Sequence, residues 1–287
     1  MLDTLPLAHL PLLADGAVSL GLRTGPPDSA PTVEALNQLD PERVAALHRA
    51  FATAGARLLR TNTAHATALE LEAQGLADRA EAINNSGSAL ARRALGGEGF
   101  VMGTLGCPQR PGAVREPEWE RAQSEQIIYL SDTEVDFFLL NHFARLGDAL
   151  VVTERIKGLS DAPVLAALRL NAAGRTEEGQ SAAEAAAALA DAGADALGLS
   201  CGPGPEALPA CVEALLRTGL PVAVLAGLSA GEADAPYPGA PALDPAAFAA
   251  WLAPLAGQGV SILGGCCGAT PAHIHALAQA VRAPDGA

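Results

Sequence analysis

The stretch VSILGGCCGATPAHIHALAQAVR, Val260–Arg282, holds a strand, a loop and a helix in one unit. Val260–Leu263 is a short, nearly continuous apolar run, as expected of a strand buried on both faces. Thr270 can cap a helix, Pro271 suits its first position, and the helical pattern runs to Arg282. Between strand and helix lies Gly264-Gly265-Cys266-Cys267-Gly268, where glycines free the backbone to aim neighbouring thiols at one point.

Working outward from this unit, the same alternation extends to the other end of the chain. Further strands are expected at Pro11–Ala14, Ala56–Thr61, Phe100–Gly103, Val135–Leu140, Val164–Leu168, Ala196–Leu199 and Val222–Leu225. Helices are expected at Pro41–Ala54, Ala77–Leu95, Ser181–Ala192, Pro205–Arg217 and Pro245–Ala256. Asp40 and Asp244 stand as caps before a proline, and the phrase AGA at Ala54–Ala56 and Ala192–Ala194 ends a helix just before a strand. Strands alternating with helices give a parallel sheet, and eight strands are enough to close it. The expected fold is therefore α/β, a single-domain (β/α)8 TIM barrel over residues 1–287. The doubly wound open sheet is the alternative, but Asp15–Gly25 lacks the GxGxxG loop that would favour it. Gly227–Leu243, rich in Gly, Pro and Ala, reads as a long functional loop after strand seven.

Composition agrees with that fold. The length, 287 residues, suits a barrel, which typically takes about 250. Hydrophobic residues make up 49% and aromatics 3%, so the core is built from small aliphatic side chains. Acidic residues outnumber basic ones 32 to 18, and Lys157 is the single lysine. That balance argues against nucleic acid and against an anionic membrane surface as partners. The N-terminal MLDTLPLAHLPLLADG lacks a basic leader region, and no uninterrupted apolar stretch is long enough to span a bilayer. A cytoplasmic, reducing location is the default expectation. There, five cysteines with two adjacent point to metal or catalysis rather than to disulfides.

In such a barrel the active site lies where strands end. The strand ends are Asp15-Gly16-Ala17, Thr61-Asn62-Thr63, Asn141-His142, Ser200-Cys201-Gly202 and the GGCCG segment. Cys201, Cys266 and Cys267 thus fall on one rim, after strands six and eight. Three thiolates suit zinc and leave a fourth position open for substrate. Buried inert cysteines are the competing reading, which the adjacency within GGCCG weighs against. Cys211 reads as a small core residue and Cys107 as a rim residue with a weaker claim on the metal. The histidines show no ligand spacing with the cysteines. His48 reads as structural, His273 and His275 as capping or surface residues, and His65 and His142 as solvated loop histidines first, with contact to substrate as the alternative.

With these motifs in view, the chain resembles the homocysteine S-methyltransferase family over Leu12 to Val281. The shared pieces are Asp15-Gly16-Ala17, Glu34–Asn37, Ala54–Ala56, Thr61–Thr63, Gly198–Gly202, Gly264–Gly268, Thr270-Pro271 and His273-Ile274. The resemblance implies that Cys201, Cys266 and Cys267 hold Zn2+ while a thiol takes the fourth site as thiolate. It implies that Asp15, Gly16 and Ala17 hold the amino-acid end of homocysteine, and that Asn141 stands where a glutamate plausibly meets its ammonium group. Other departures are His142 for threonine, Ser200 for asparagine, Ala64 for an aromatic residue, and Val224-Leu225 for a proline-asparagine pair. Three functions follow as alternatives. One is methyl transfer to homocysteine, giving methionine. Another is methyl transfer to a different thiol or selenol, or service by a separate corrinoid protein. The last is a degenerate zinc-holding barrel without turnover. The partners expected are a small-molecule thiol and a methyl donor.

Overall fold

The computed structural model describes residues 11–23, 32–107, 117–228 and 241–282. Eight parallel strands form one sheet. They are β1 (Leu12–Leu13), β2 (Leu58–Arg60), β3 (Phe100–Gly106), β4 (Phe137–Phe143), β5 (Val164–Leu168), β6 (Ala196–Ser200), β7 (Val222–Ala226) and β8 (Ile262–Gly265). The main helices follow them in turn: α1 (Pro41–Ala54), α2 (Ala80–Leu95), α3 (Pro117–Ser131), α4 (Leu146–Leu159), α5 (Ala182–Asp191), α6 (Leu208–Leu216), α7 (Pro245–Leu252) and α8 (Pro271–Arg282). Sheet order runs β1-β8-β7-β6-β5-β4-β3-β2. Between β1 and β2 the ring is completed by a parallel bridge, Ala14 to Leu58. Two backbone bonds support it, Arg57 N to Leu13 O (2.8 Å) and Asp15 N to Leu58 O (3.0 Å). The (β/α)8 barrel expected from the alternation is the fold observed.

Side chains along the strands alternate between two cores, as the period of a β-strand requires. Leu58, Phe137, Leu139, Leu165, Ala167, Ala196, Ala223, Leu225 and Ile262 fill the barrel interior. Leu59, Phe138, Leu140, Val164, Ala166, Leu197, Val222, Val224 and Leu263 pack outward against the helices. Both parities are apolar, which is why the runs read as continuous.

The helix signals act as expected. Asp40 and Asp244 accept the amides of Arg43 (3.4 Å) and Ala247 (2.8 Å). Ser181 and Glu184 form a capping box at the start of α5. Gly55 and Gly193, at φ 112° and 93°, make the left-handed turns into the next strands.

Several element bounds differ from expectation. β4 runs on to Phe143, through the residues read as loop. Helices α3 and α4 are additions to the expected set. Leu208 rather than Pro205 begins α6, and α7 passes at Ala253 into a 3-10 turn ending at Gln258. Of the loop expected over Gly227–Leu243, residues 229–240 lie outside the described residues. Among the described residues, no helix is long and apolar enough to cross a membrane.

Candidate metal centre

Strand parity carries three side chains inward at the C-terminal rim. On β4 the inward positions Phe137 and Leu139 lead to Asn141; on β6, Ala196 and Gly198 lead to Ser200; on β8, Ile262 and Gly264 lead to Cys266. Next to each stands a second residue, His142, Cys201 or Cys267. The thiols of Cys201, Cys266 and Cys267 and an imidazole nitrogen of His142 all lie within 4.8 Å of one another. His142 Nε2 is 3.0 Å from Cys266 Sγ and 3.6 Å from Cys267 Sγ. Cys201 and Cys266 are buried, while His142 and Cys267 are half-buried. His142 is a correction to the reading from sequence, which gave the histidines no place among the cysteines.

The backbone holds this arrangement from two neighbouring strands. Cys266 N donates to Ala226 O (2.7 Å), Leu228 N to Cys267 O (2.7 Å), Gly265 N to Asp15 O (3.0 Å) and Ala269 N to Cys266 O (3.1 Å). Cys267 N donates to Cys201 Sγ (3.3 Å), tying the two cysteine segments together.

Beneath the cysteines lies a buried ion pair that sequence reading missed. Arg60 occupies the inward parity of β2 and is 4% exposed. Its Nε donates to Asp15 Oδ1 at 2.7 Å, and its backbone N donates to Asp15 Oδ2 at 2.9 Å. Its guanidinium also reaches the carbonyls of Asp15 (3.1 Å), Gly265 (2.6 Å) and Gly16, and Cys266 Sγ at 3.5 Å. The signal was present as a charged residue inside the apolar strand run ARLLRT. Burial raises the Asp15 pKa above the usual carboxylate value, with Arg60 working against the shift. Burial also penalises the Arg60 charge, but Asp15 and Cys266 more than offset it and hold its pKa up.

Electrostatics of the cluster follow from burying several ionisable groups together. Hydrogen bonds from the other two thiols hold Cys266 well below the usual thiol value; burial opposes this and His142 reinforces it. Burial, followed by the bonds to the other thiols, pushes Cys201 well above it. Burial disfavours the His142 imidazolium, yet the Cys266 thiolate and the bonds to both sulfurs raise its pKa well above the ordinary value. Three sulfurs and one imidazole, with a buried cation behind them, form a donor set that fits zinc and does not fit magnesium or calcium.

The remaining candidates divide between site and scaffold. Asp15 is fully buried against Arg60. Ala17 N donates to Ala269 O at 2.9 Å, so the Asp15-Gly16-Ala17 turn lies against the turn that carries the cysteines. Ser200 Oγ donates to Asn141 Oδ1 at 2.6 Å and stands 3.7 Å from Cys266 Sγ. Asn37 and Asn62 bond to each other, Asn37 Nδ2 to Asn62 O (2.8 Å) and Asn62 Nδ2 to Asn37 Oδ1 (3.0 Å), and serve as scaffold. His273 caps α8 by accepting from Thr270 N at 3.1 Å. His65 pairs with Glu70 at 3.0 Å. Cys211 sits in the outer core. Cys107, at the end of β3, stands outside the four-residue cluster.

The model of the family described as Homocysteine S-methyltransferase matches residues 12–281. The methionine synthase of Mycobacterium tuberculosis is 30% identical over 269 residues, covering 86% of this chain and 22% of that protein. Betaine–homocysteine S-methyltransferase 1 of Xenopus laevis is 30% identical over 273 residues, covering 86% of this chain and 66% of that protein. The chain therefore spans about a fifth of the first relative and just under two thirds of the second. Among solved structures, the metallated homocysteine methyltransferase MmuM of Escherichia coli superposes with a TM-score of 0.75. It is 22% identical, and the match covers 97% of this chain and 99% of that one, a likeness of fold.

Proposed function

The chain belongs to the homocysteine S-methyltransferase family, and on that premise we propose that it is a zinc-dependent enzyme transferring a methyl group to the thiolate of homocysteine, forming methionine. The observation that carries this reading is the convergence of Cys201, Cys266 and Cys267 on the substrate rim of the barrel. In the proposal these three cysteines hold the metal. Zinc, when bound, supplies the Lewis acidity that keeps a coordinated thiol deprotonated at neutral pH. The thiolate sulfur attacks the methyl carbon, and the bond to the donor breaks with its electron pair leaving on the donor. No protein acid or base is required for that displacement.

The chain's own residues bind and orient. We assign the amino-acid end of the thiol to the Asp15-Gly16-Ala17 turn and to Asn141. Asp15 is engaged by Arg60, so its part is to fix the turn. Because Asn141 Oδ1 receives the Ser200 hydroxyl, the Asn141 amide NH2 is available to donate to the substrate carboxylate. The Asn141–Ser200 pair also supports a second reading, a different thiol or selenol as acceptor or a methyl group delivered by a separate corrinoid protein.

A panel of methyl donors against thiols, run on zinc-loaded protein, tests the acceptor. Homocysteine should be methylated with at least one of betaine, S-methylmethionine or a methylated corrinoid protein. If homocysteine stays inert while another thiol is methylated, the second reading replaces the first. Zinc analysis tests the ligands. The wild type should hold about one zinc per chain. Alanine at Cys201, Cys266 or Cys267 should lose it, and Cys211→Ala should keep it. Stoichiometric zinc in all three variants would sink the assignment.

A further inference from the structure

We propose that His142 is a fourth protein donor to the metal, so that the thiol-free centre is Cys3His and the acceptor thiol enters by exchange with the imidazole. This rests on the metal–thiol chemistry proposed above for the same site.

Distance makes the first argument. His142 Nε2 lies 3.0 Å and 3.6 Å from two of the three sulfurs. All four donor atoms fall within 4.8 Å of one another, the scale of one tetrahedral shell.

The backbone makes the second. Along β4, Phe138 and Leu140 face outward, so regular alternation would send His142 outward as well, toward the helices. Instead the pairing of β4 with β5 slips. Leu140 faces Ala166 and Phe143 faces Leu168, three steps on one strand against two on the other. The extra residue is a β-bulge, a device that re-aims a side chain. His142 also takes φ 69°, and Cys201 takes φ 56°. These are the positive-φ residues other than glycine among those described. Such a conformation is unfavourable for a side-chain-bearing residue and persists where the surroundings impose it. Here both instances fall on donors of one cluster.

Accessibility makes the third. Cys201 and Cys266 are buried, whereas His142 and Cys267 are half-buried, and of these two the imidazole is the neutral donor and the weaker one to exchange. In the exchange, His142 Nε2 leaves the metal as the thiol sulfur binds, and the thiol proton passes to the buffer.

X-ray absorption at the zinc edge on the full zinc-loaded chain tests this, with His142→Ala and His142→Gln as variants and circular dichroism to verify folding. Without thiol, the wild type should show three sulfurs and one nitrogen with imidazole scattering. Homocysteine should convert this to four sulfurs and remove the imidazole signal. Each variant should show three sulfurs and one oxygen or nitrogen without imidazole scattering, and bind zinc at least about tenfold more weakly. Three sulfurs and an oxygen in thiol-free wild type would overturn the proposal. So would imidazole scattering that persists while a thiol is bound and methylated, or that no thiol displaces. If the Cys3His spectrum is present and a thiol other than homocysteine both displaces the imidazole and is methylated, His142 stands and the homocysteine reading falls.

Discussion

His48 lies in the middle of α1, fully buried, and neither ring nitrogen has a protein hydrogen-bond partner. Burial lowers its pKa to about 4, with the Arg60 charge adding to the effect. In the unfolded chain the group titrates near its ordinary value of 6.5. Between these values the unfolded state binds more protons, so His48 contributes stability above about pH 6.5 that is lost as pH falls toward 4. The full effect is about 3 kcal/mol, of which about 2 kcal/mol is gone by pH 5. Urea titrations from pH 7.5 to 5, on protein of equal zinc content, should show the wild type losing that much more than His48→Leu. Equal slopes would assign the acid sensitivity elsewhere.

Elements meet at the cysteine turn, and the fit there is tight. A Cβ on Gly16 would stand 2.2 Å from Ala269 O and 2.9 Å from Phe51 Cε1. Ala269 cannot move alone, because its amide is bonded to Cys266 O. Gly16→Ala should therefore cost about 1–3 kcal/mol and weaken zinc binding together with stability. Gly158→Ala is the contrasting case. Gly158 lies in α4 with nothing near its Cβ position, and alanine there should stabilise by up to about 1 kcal/mol. Thermal melts and zinc titrations of both variants check the pair of outcomes; unchanged zinc affinity in Gly16→Ala would separate the β1 turn from the metal site. The same elements show what a sequence makes legible. The cysteines were readable because glycine-flanked thiols followed apolar runs whose length already marked them as strands. His142 was not, because alternation assigns it to the outer face and the bulge that reverses this arises from the pairing of β4 with β5. Arg60 was readable in principle, since a strand buried on both faces has no solvent for a guanidinium. Its partner Asp15 lies 45 positions away, and closure of the barrel is what joins them.

At the scale of the molecule, seven of the eight strand junctions are ladders, the one between β4 and β5 interrupted by its bulge, while β1 and β2 meet through one bridge, Ala14 to Leu58. Past that bridge the contact is continued by side chains, with Asp15 receiving the Arg60 amide and guanidinium and Arg60 reaching across to Gly265 on β8. The barrel is thus a hoop with a clasp, and the clasp sits directly under the clustered thiols of Cys201, Cys266 and Cys267. Loading the metal should tighten the hoop at that place. Amide hydrogen exchange at Asp15, Arg57 and Arg60 should slow on zinc binding by at least about tenfold more than at Leu165 and Leu197 in the far wall. A uniform slowing around the ring would mean that the metal stabilises the barrel as a whole and leaves the clasp no special part. If the local effect is found, an opening fluctuation at β1 and β2 and the escape of a loaded metal are one event, and the lifetime of the closed hoop sets how long the loaded metal stays.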